Sequence, residues 1–157
     1  MIVSFTGHRP PKLGGYKLPN PTYLHICQQI EKTLTELKPE KVLSGMALGV
    51  DQWAADIAYK LGIPFLAAVP FEGQEKEWPE SARKAYHLLL SKAAERVVVC
   101  EGEYASYKMQ IRNEYLVNNS DILIAVYNGD KTGGTANCVK YAKSTGKEIV
   151  YIDPRAK

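Results

Sequence analysis

Cysteine is scarce in this sequence: Cys27, Cys100 and Cys138 are the three it has, an odd number spread over 157 residues. They form no CxxC pair and no even set, which excludes both a disulfide framework and a zinc site of that type. Histidine is equally rare, at three, and no group of His, Cys, Asp and Glu has metal-ligand spacing. No metal site and no resident cofactor is therefore expected. Long hydrophobic runs are missing too. The longest apolar stretches, such as ILIAVY and FLAAV, fall far short of the roughly 20 residues that cross a bilayer. The chain opens on MIVSF, without a basic n-region or a small-residue cleavage motif. No secretory leader and no membrane partner is expected, and the expected place is the cytoplasm. Charge of one sign is not concentrated either. Twenty Lys and Arg against 17 Asp and Glu leave +3, with no basic run. That argues against several phosphate contacts along single-stranded DNA and suits a small anionic ligand.

What is present is ordinary globular composition, 45% hydrophobic and 24% charged, in a chain long enough for one domain over 1–157 with its own core. Six apolar runs punctuate it: 2–5, 41–44, 64–69, 96–100, 122–127 and 148–152. They are continuous rather than alternating and rich in Val and Ile, as strands buried on both faces of a parallel sheet are. Helical periodicity fills the gaps. Residues 21–37 place Leu24, Cys27, Ile30, Leu34 and Leu37 on one stripe, with Asn20 as cap and Pro21 in the first turn. Residues 50–61 align Val50, Ala54, Ile57, Ala58 and Leu61 before Gly62 and Pro64 stop the helix. Helices are also expected over 80–92, 106–118 and 134–145. Alternating strand and helix predicts an α/β fold, a Rossmann-like, doubly wound, mainly parallel sheet in a single domain.

Such sheets hold ligands outside the carboxyl ends of their strands, at the switch point, and the unusual residues fall in those loops. After strand two, SGMALGVDQW contains Ser44, Gly45, Met46, Gly49, Asp51 and Gln52 at the start of a helix. Glycines there allow close backbone approach, and the helix N-terminus offers free N–H groups to an anion. The same residues read equally as a plain strand-to-helix turn, since the spacing is neither GxGxxG nor a P-loop. After strand five, Thr132, Gly133, Gly134 and Thr135 open a second helix, preceded by Asp130 and Lys131, which suit a ligand contact or a solvated turn. After strand one come Gly7, His8 and Arg9. His8 is a residue that titrates near neutrality, and Arg9 can fork onto a phosphate. After strand three, Phe71, Gln74 and Trp78 offer stacking and amide hydrogen bonds, or simply close the edge of the core. His25 and His87 fall inside helices and read as structural or surface residues. Tyr104, Tyr107 and Tyr115 flank the fourth helix and suit an interface or a ligand.

Five motifs in order, TGHRP, SGMALGVDQWAA, PFEGQEKEW, RNEYLVNNSDILIAVYNG and GGTA, closely resemble the YpsA-like branch of the SLOG superfamily. That superfamily also groups DprA with the Lonely Guy enzymes. The resemblance covers nearly the whole chain. It implies a Rossmann-like domain that binds a small nucleotide-derived ligand, such as an ADP-ribose, NAD-type or signal nucleotide, often as a homodimer. It makes Arg112, and beside it Asn113, candidates for the site. Arg112 stands nine residues before Asp121, as the Lonely Guy arginine does before its aspartate, and is the one candidate catalytic residue. The Lonely Guy glutamate, however, has Cys138 in its place, and a neutral thiol neither activates water nor stabilises an oxocarbenium centre. The expectation is a binding protein, with a phosphoribohydrolase-type enzyme as the alternative and DprA-like single-stranded DNA binding as a more distant one.

Overall fold

The computed structural model describes residues 1–155. One six-stranded, all-parallel sheet forms the centre, in spatial order β4-β3-β2-β1-β5-β6. Its strands are β1 (Ile2–Gly7), β2 (Lys41–Ser44), β3 (Phe65–Val69), β4 (Glu95–Val98), β5 (Ile122–Val126) and β6 (Glu148–Ile152). The helices are α1 (Pro21–Leu37), α2 (Val50–Lys60), α3 (Glu80–Leu90), α4 (Ser106–Asn118) and α5 (Gly134–Ser144), with a 3-10 turn at Pro10–Lys12 that the sequence did not announce. Among the described residues no helix is long and apolar enough to cross a membrane.

The chain builds outward from β1 through β2, β3 and β4, then α4 carries it back across the sheet to β5 on the other side of β1. Right-handed crossovers in opposite directions put their helices on opposite faces. Helices α1, α2 and α3 accordingly pack side by side on one face, and α4 and α5 pair on the other. The switch point lies between β1 and β5, where Val3 to Gly7 run in register with Ile122 to Val126. A cleft opens there because the loops leaving β1 and β5 diverge to opposite faces.

The core follows the sequence in the middle of the sheet and departs from it at the edges. Strands β3 and β5 are buried along their whole length. The outermost strands β4 and β6 are not the doubly buried strands their composition suggests. Each pairs with one neighbour only, and the helices cover them incompletely, so Glu95, Arg96 and Val98 of β4 and Glu148 and Tyr151 of β6 are exposed. Helix α1 starts as expected, with Asn20 accepting from the Tyr23 amide at 2.9 Å and Pro21 at the first helical position. Its buried stripe is Ile26, Ile30 and Leu34, whereas Leu24 is 57% exposed. Helix α2 buries Val50, Ala54 and Ala58 on the sheet, while Leu61 falls beyond the helix and is exposed.

One contact fixes how close α2 sits to the sheet. A Cβ on Gly7 would lie 2.6 Å from both Cβ and Cγ2 of Val50, and neither atom is the free end of a flexible chain. Gly7→Ala is expected to cost about 1–3 kcal/mol and to lower the melting temperature by about 2–4 °C per kcal/mol. In a Val50→Ala background, which lacks the obstructing methyls, the same Gly7→Ala change should cost less in the same thermal melt, because the two residues touch.

Candidate functional site

Two cavities adjoin at the carboxyl end of the sheet. The smaller, about 350 Å³, lies over the switch point between the β1 loop, α4 and the start of α5. The larger, about 710 Å³, lies over β2 and β3 and is closed by the loops at 71–78 and 103–106. Arg9, Ala47 and Met109 line both, so they form one continuous cleft.

The glycines divide into two kinds. At Gly133 and Gly134 an added Cβ would meet nothing within 4 Å, and both are exposed on the small cavity. Gly133 has φ +101°, a conformation that side chains resist. The first turn of α5 therefore presents its N–H groups to open space, as anion sites at helix starts do. Around Gly45 and Gly49 there is no such space. A Cβ on Gly45 would lie 2.2 Å from Arg112 Nη1, and one on Gly49 would lie 2.8 Å from the His8 carbonyl oxygen and 3.2 Å from Arg9 Cα. The start of α2 is thus covered by the β1 loop, and of the two helix starts read from the sequence only that of α5 opens on the cleft.

Ser44, Gly45, Met46, Gly49 and Gln52 stand behind the cavity walls. Ser44 Oγ donates to the Asp51 carbonyl at 2.7 Å and accepts from the Met46 amide at 3.2 Å. Gln52 Nε2 donates to the Met46 carbonyl at 3.2 Å, bracing a residue with φ +62°. These bonds consume the polar groups that the sequence offered for a ligand. Their product is the placement of Asp51 and Arg112, which do line the small cavity. Arg112 Nη1 donates to the Gly45 carbonyl at 2.7 Å, Nε donates to Asn113 Oδ1 at 3.1 Å, and Asp51 Oδ2 lies 3.9 Å from Nη1. Burial pushes the Asp51 carboxyl above the usual range, opposed by Arg112 and by the Ala47 N–H that donates to Oδ2. Cys138 is fully buried, and burial raises its thiol to about 11. It is a neutral thiol, and among the described residues Asp51 is the one carboxylate on the small cavity's wall.

Loops 8–12 and 127–132 are clasped together over this cavity. The Asn128 amide donates to His8 Nε2 at 3.3 Å, Lys12 pairs with Asp130 at 2.8 Å, and the Tyr127 hydroxyl donates to the Asp130 carbonyl. Asp130 is therefore a strut of the loop. Burial lowers the His8 pKa below 6.5, and an Nε2 that accepts a hydrogen bond belongs to the neutral ring, so His8 is uncharged at neutral pH. Arg9 is exposed and, among the described residues, has no carboxylate within ion-pair distance. In the large cavity Phe71 meets Tyr104 edge-on at 5.8 Å, and Trp78 meets Tyr86 edge-on at 5.3 Å. Lys108 is buried, donates to the carbonyls of Glu101 and Glu103, and lies 5.8 Å from the Phe71 ring, which fixes the loop carrying Tyr104.

Ten sequence candidates thus share the small cavity: Gly7, His8, Arg9, Asp51, Arg112, Asn113, Thr132, Gly133, Gly134 and Thr135. Phe71, Gln74 and Trp78 share the large one with Arg9. Lys12, Ala47, Met109 and Glu103 were not among the candidates, and Tyr104, which suits an interface or a ligand in the sequence, lies on the large cavity. Met109 had a signal, since it precedes Arg112 and Asn113 by three and four positions on one helix face. Lys12 had none, because its partner lies 118 residues away.

Two measurements test this geometry. Gly45→Ala is expected to cost about 1–3 kcal/mol in urea denaturation, and less than half of that in an Arg112→Met background. The stability contributed by a neutral His8 is complete above pH 6.5 and is lost as pH falls below that value towards its lowered folded pKa. Between pH 7 and pH 5 the urea midpoint should fall more steeply for the native chain than for His8→Gln.

Comparison with known proteins agrees with the fold. The family model described as "YspA SLOG family" (YpsA) matches residues 3–156. The SPbeta prophage-derived protein YoqJ of Bacillus subtilis (strain 168) is 35% identical over 157 residues, covering 86% of this chain and 91% of its own. A UPF0398 protein of Bacillus cereus (strain G9842) is 30% identical, covering 93% of this chain and 84% of its own. Among solved structures, DprA from Helicobacter pylori superposes with TM-score 0.69 at 19% identity, covering all of this chain and 67% of that one. DprA from Streptococcus pneumoniae gives 0.68 at 18%, covering 96% of this chain, which spans 50% of that protein's length. The molybdenum cofactor binding protein from Rippkaea orientalis gives 0.61 at 19%, covering 96% of this chain and 74% of that one. At these identities the structural likenesses speak for the fold. The sheet, its switch-point cleft and the match along nearly the whole sequence lead to one conclusion: the chain belongs to the YpsA family of SLOG proteins.

Proposed function

We propose that this protein binds a small nucleotide-derived ligand along the cleft, with a phosphate in the small cavity and the base in the large one. The observation that carries this reading is the open start of α5 at Gly133-Gly134. It faces Arg9 across a cavity continuous with one lined by Phe71, Trp78 and Tyr104. An anion at a helix N-terminus gains about 0.3–1 kcal/mol from the dipole alone, and Thr132, Thr135 and Asn113 add polar side chains beside it. The combined size suits an ADP-ribose or signal nucleotide. Binding to sense or sequester such a molecule is favoured over its hydrolysis, because Asp51 is tied to Arg112 and Ala47, and Cys138 stands where the resemblance to Lonely Guy enzymes requires a glutamate. A homodimer belongs to the same proposal, with the exposed Tyr107 of α4 as a candidate contact. The sequence argued against single-stranded DNA on charge alone, and the comparisons lend that no support, since one structural relative is a DprA with a described single-stranded DNA binding mode.

A thermal-shift panel of nucleoside monophosphates, NAD, ADP-ribose, cyclic nucleotides and a short DNA strand tests the reading. A ligand at a hundred times its Kd stabilises by about 2.7 kcal/mol, a rise of roughly 5–10 °C for a domain of this size. Gly134→Asp puts a carboxylate where the phosphate is placed. It should keep or raise the unliganded melting temperature, since an acid suits the first turn of a helix, while abolishing the ligand shift. A shift by DNA alone, or release of free base from a bound nucleotide, would replace the binding proposal.

A further inference from the structure

Gln74 sits on the large cavity, 8% exposed, at the one place in the described structure where a buried side-chain atom lacks a hydrogen-bond partner: its Oε1. The orientation of the amide is fixed by its neighbours. Nε2 lies 3.3 Å from the Gly45 carbonyl and 3.3 Å from the Tyr86 hydroxyl. A carbonyl only accepts, so the nitrogen must be on that side, and both of its hydrogens are then committed. Turning the amide over would set two acceptors face to face. Gln74 is therefore locked with its oxygen as the unused end. Buried polar atoms nearly always have partners, so an orphan of this kind gains from a donor that a small shift of its surroundings brings to it.

The charges around it agree. Glu77 and Glu103 line this cavity against Arg9 and Lys76, with Glu72 paired to Arg96 at 2.7 Å, whereas the small cavity has Arg9 and Arg112 against Asp51, with Lys12 paired to Asp130. The excess of positive charge thus lies at the small cavity, and the large one is balanced. Phe71 and Trp78 supply apolar faces beside Gln74 on the same wall.

Resting on the nucleotide reading above, we infer that the large cavity selects a heteroaromatic ring bearing an exocyclic amine, whose N–H donates to Gln74 Oε1. A ring with a carbonyl or a bare C–H at that position leaves the oxygen unpaired or opposes it with a second acceptor.

Isothermal titration with two pairs of probes tests this. Each pair differs by one amine: AMP against purine riboside 5′-monophosphate, and GMP against IMP. In the native chain the amine-bearing member of at least one pair should bind roughly tenfold or more tightly than its partner. In Gln74→Met, checked for folding by circular dichroism, the ratio of affinities within that pair should fall to about one, whatever the change in affinity common to both members. Equal binding within both pairs overturns the inference and leaves the nucleotide reading intact. Discrimination that survives in Gln74→Met overturns the assignment to Gln74. Failure of all four probes to bind overturns both readings for mononucleotides. Should Gln74→Met not fold, the comparison within pairs on the native chain decides alone.

Discussion

The carbonyl of Gly45 holds the cleft together. It directly follows β2, and its oxygen receives Arg112 Nη1 at 2.7 Å from α4 and Gln74 Nε2 at 3.3 Å from the loop after β3. One backbone group thus ties three elements that are distant in sequence, and both of its lone pairs are used. Arg112 reaches it only because residue 45 has no side chain. Its buried charge is held by Asp51 from the first turn of α2. Such a pair adds little net stability over an apolar substitute, yet removing one partner strands the other at a cost of about 3–5 kcal/mol. The constellation is therefore rigid in the sense that matters for a site: its members cannot move singly.

That node explains the two uses of glycine here. Gly7, Gly45 and Gly49 are spaces filled by the protein itself, by Val50, Arg112 and the β1 loop. Gly133 and Gly134 are spaces left unfilled. In the sequence the two kinds look alike, since each is a small residue between a strand and a helix. The order of strands and helices was legible because hydrophobic period and capping are local, as at Asn20 and Pro21. The convergence of the loops was legible as well, because an α/β sheet places them at one end. Partnerships over long separations were not legible: Lys12 with Asp130, or Arg112 occupying the space beside Gly45. The exposure of β4 was hidden for a similar reason, since only the topology tells which apolar run becomes an edge.

His8 illustrates how placement rewrites a side chain's chemistry. As a sequence feature it is a titrating group beside an arginine. In the fold it is a neutral acceptor for the Asn128 amide, and with the Lys12–Asp130 pair it fastens the β1 loop to the β5 loop. The positive character of the small cavity therefore comes from the guanidinium groups, not from imidazole.

The two tryptophans, finally, occupy unlike surroundings. Trp53 packs edge-on against Tyr23 at 4.9 Å on the α1–α2 side and lines neither cavity, while Trp78 forms part of the large cavity's wall. The indole of Trp78 thus gives the cleft its own optical reporter. With Trp53 replaced by phenylalanine, tryptophan emission, excited selectively over that of the ten tyrosines, would come from a single position, and its intensity would register what enters the cleft without any attached dye.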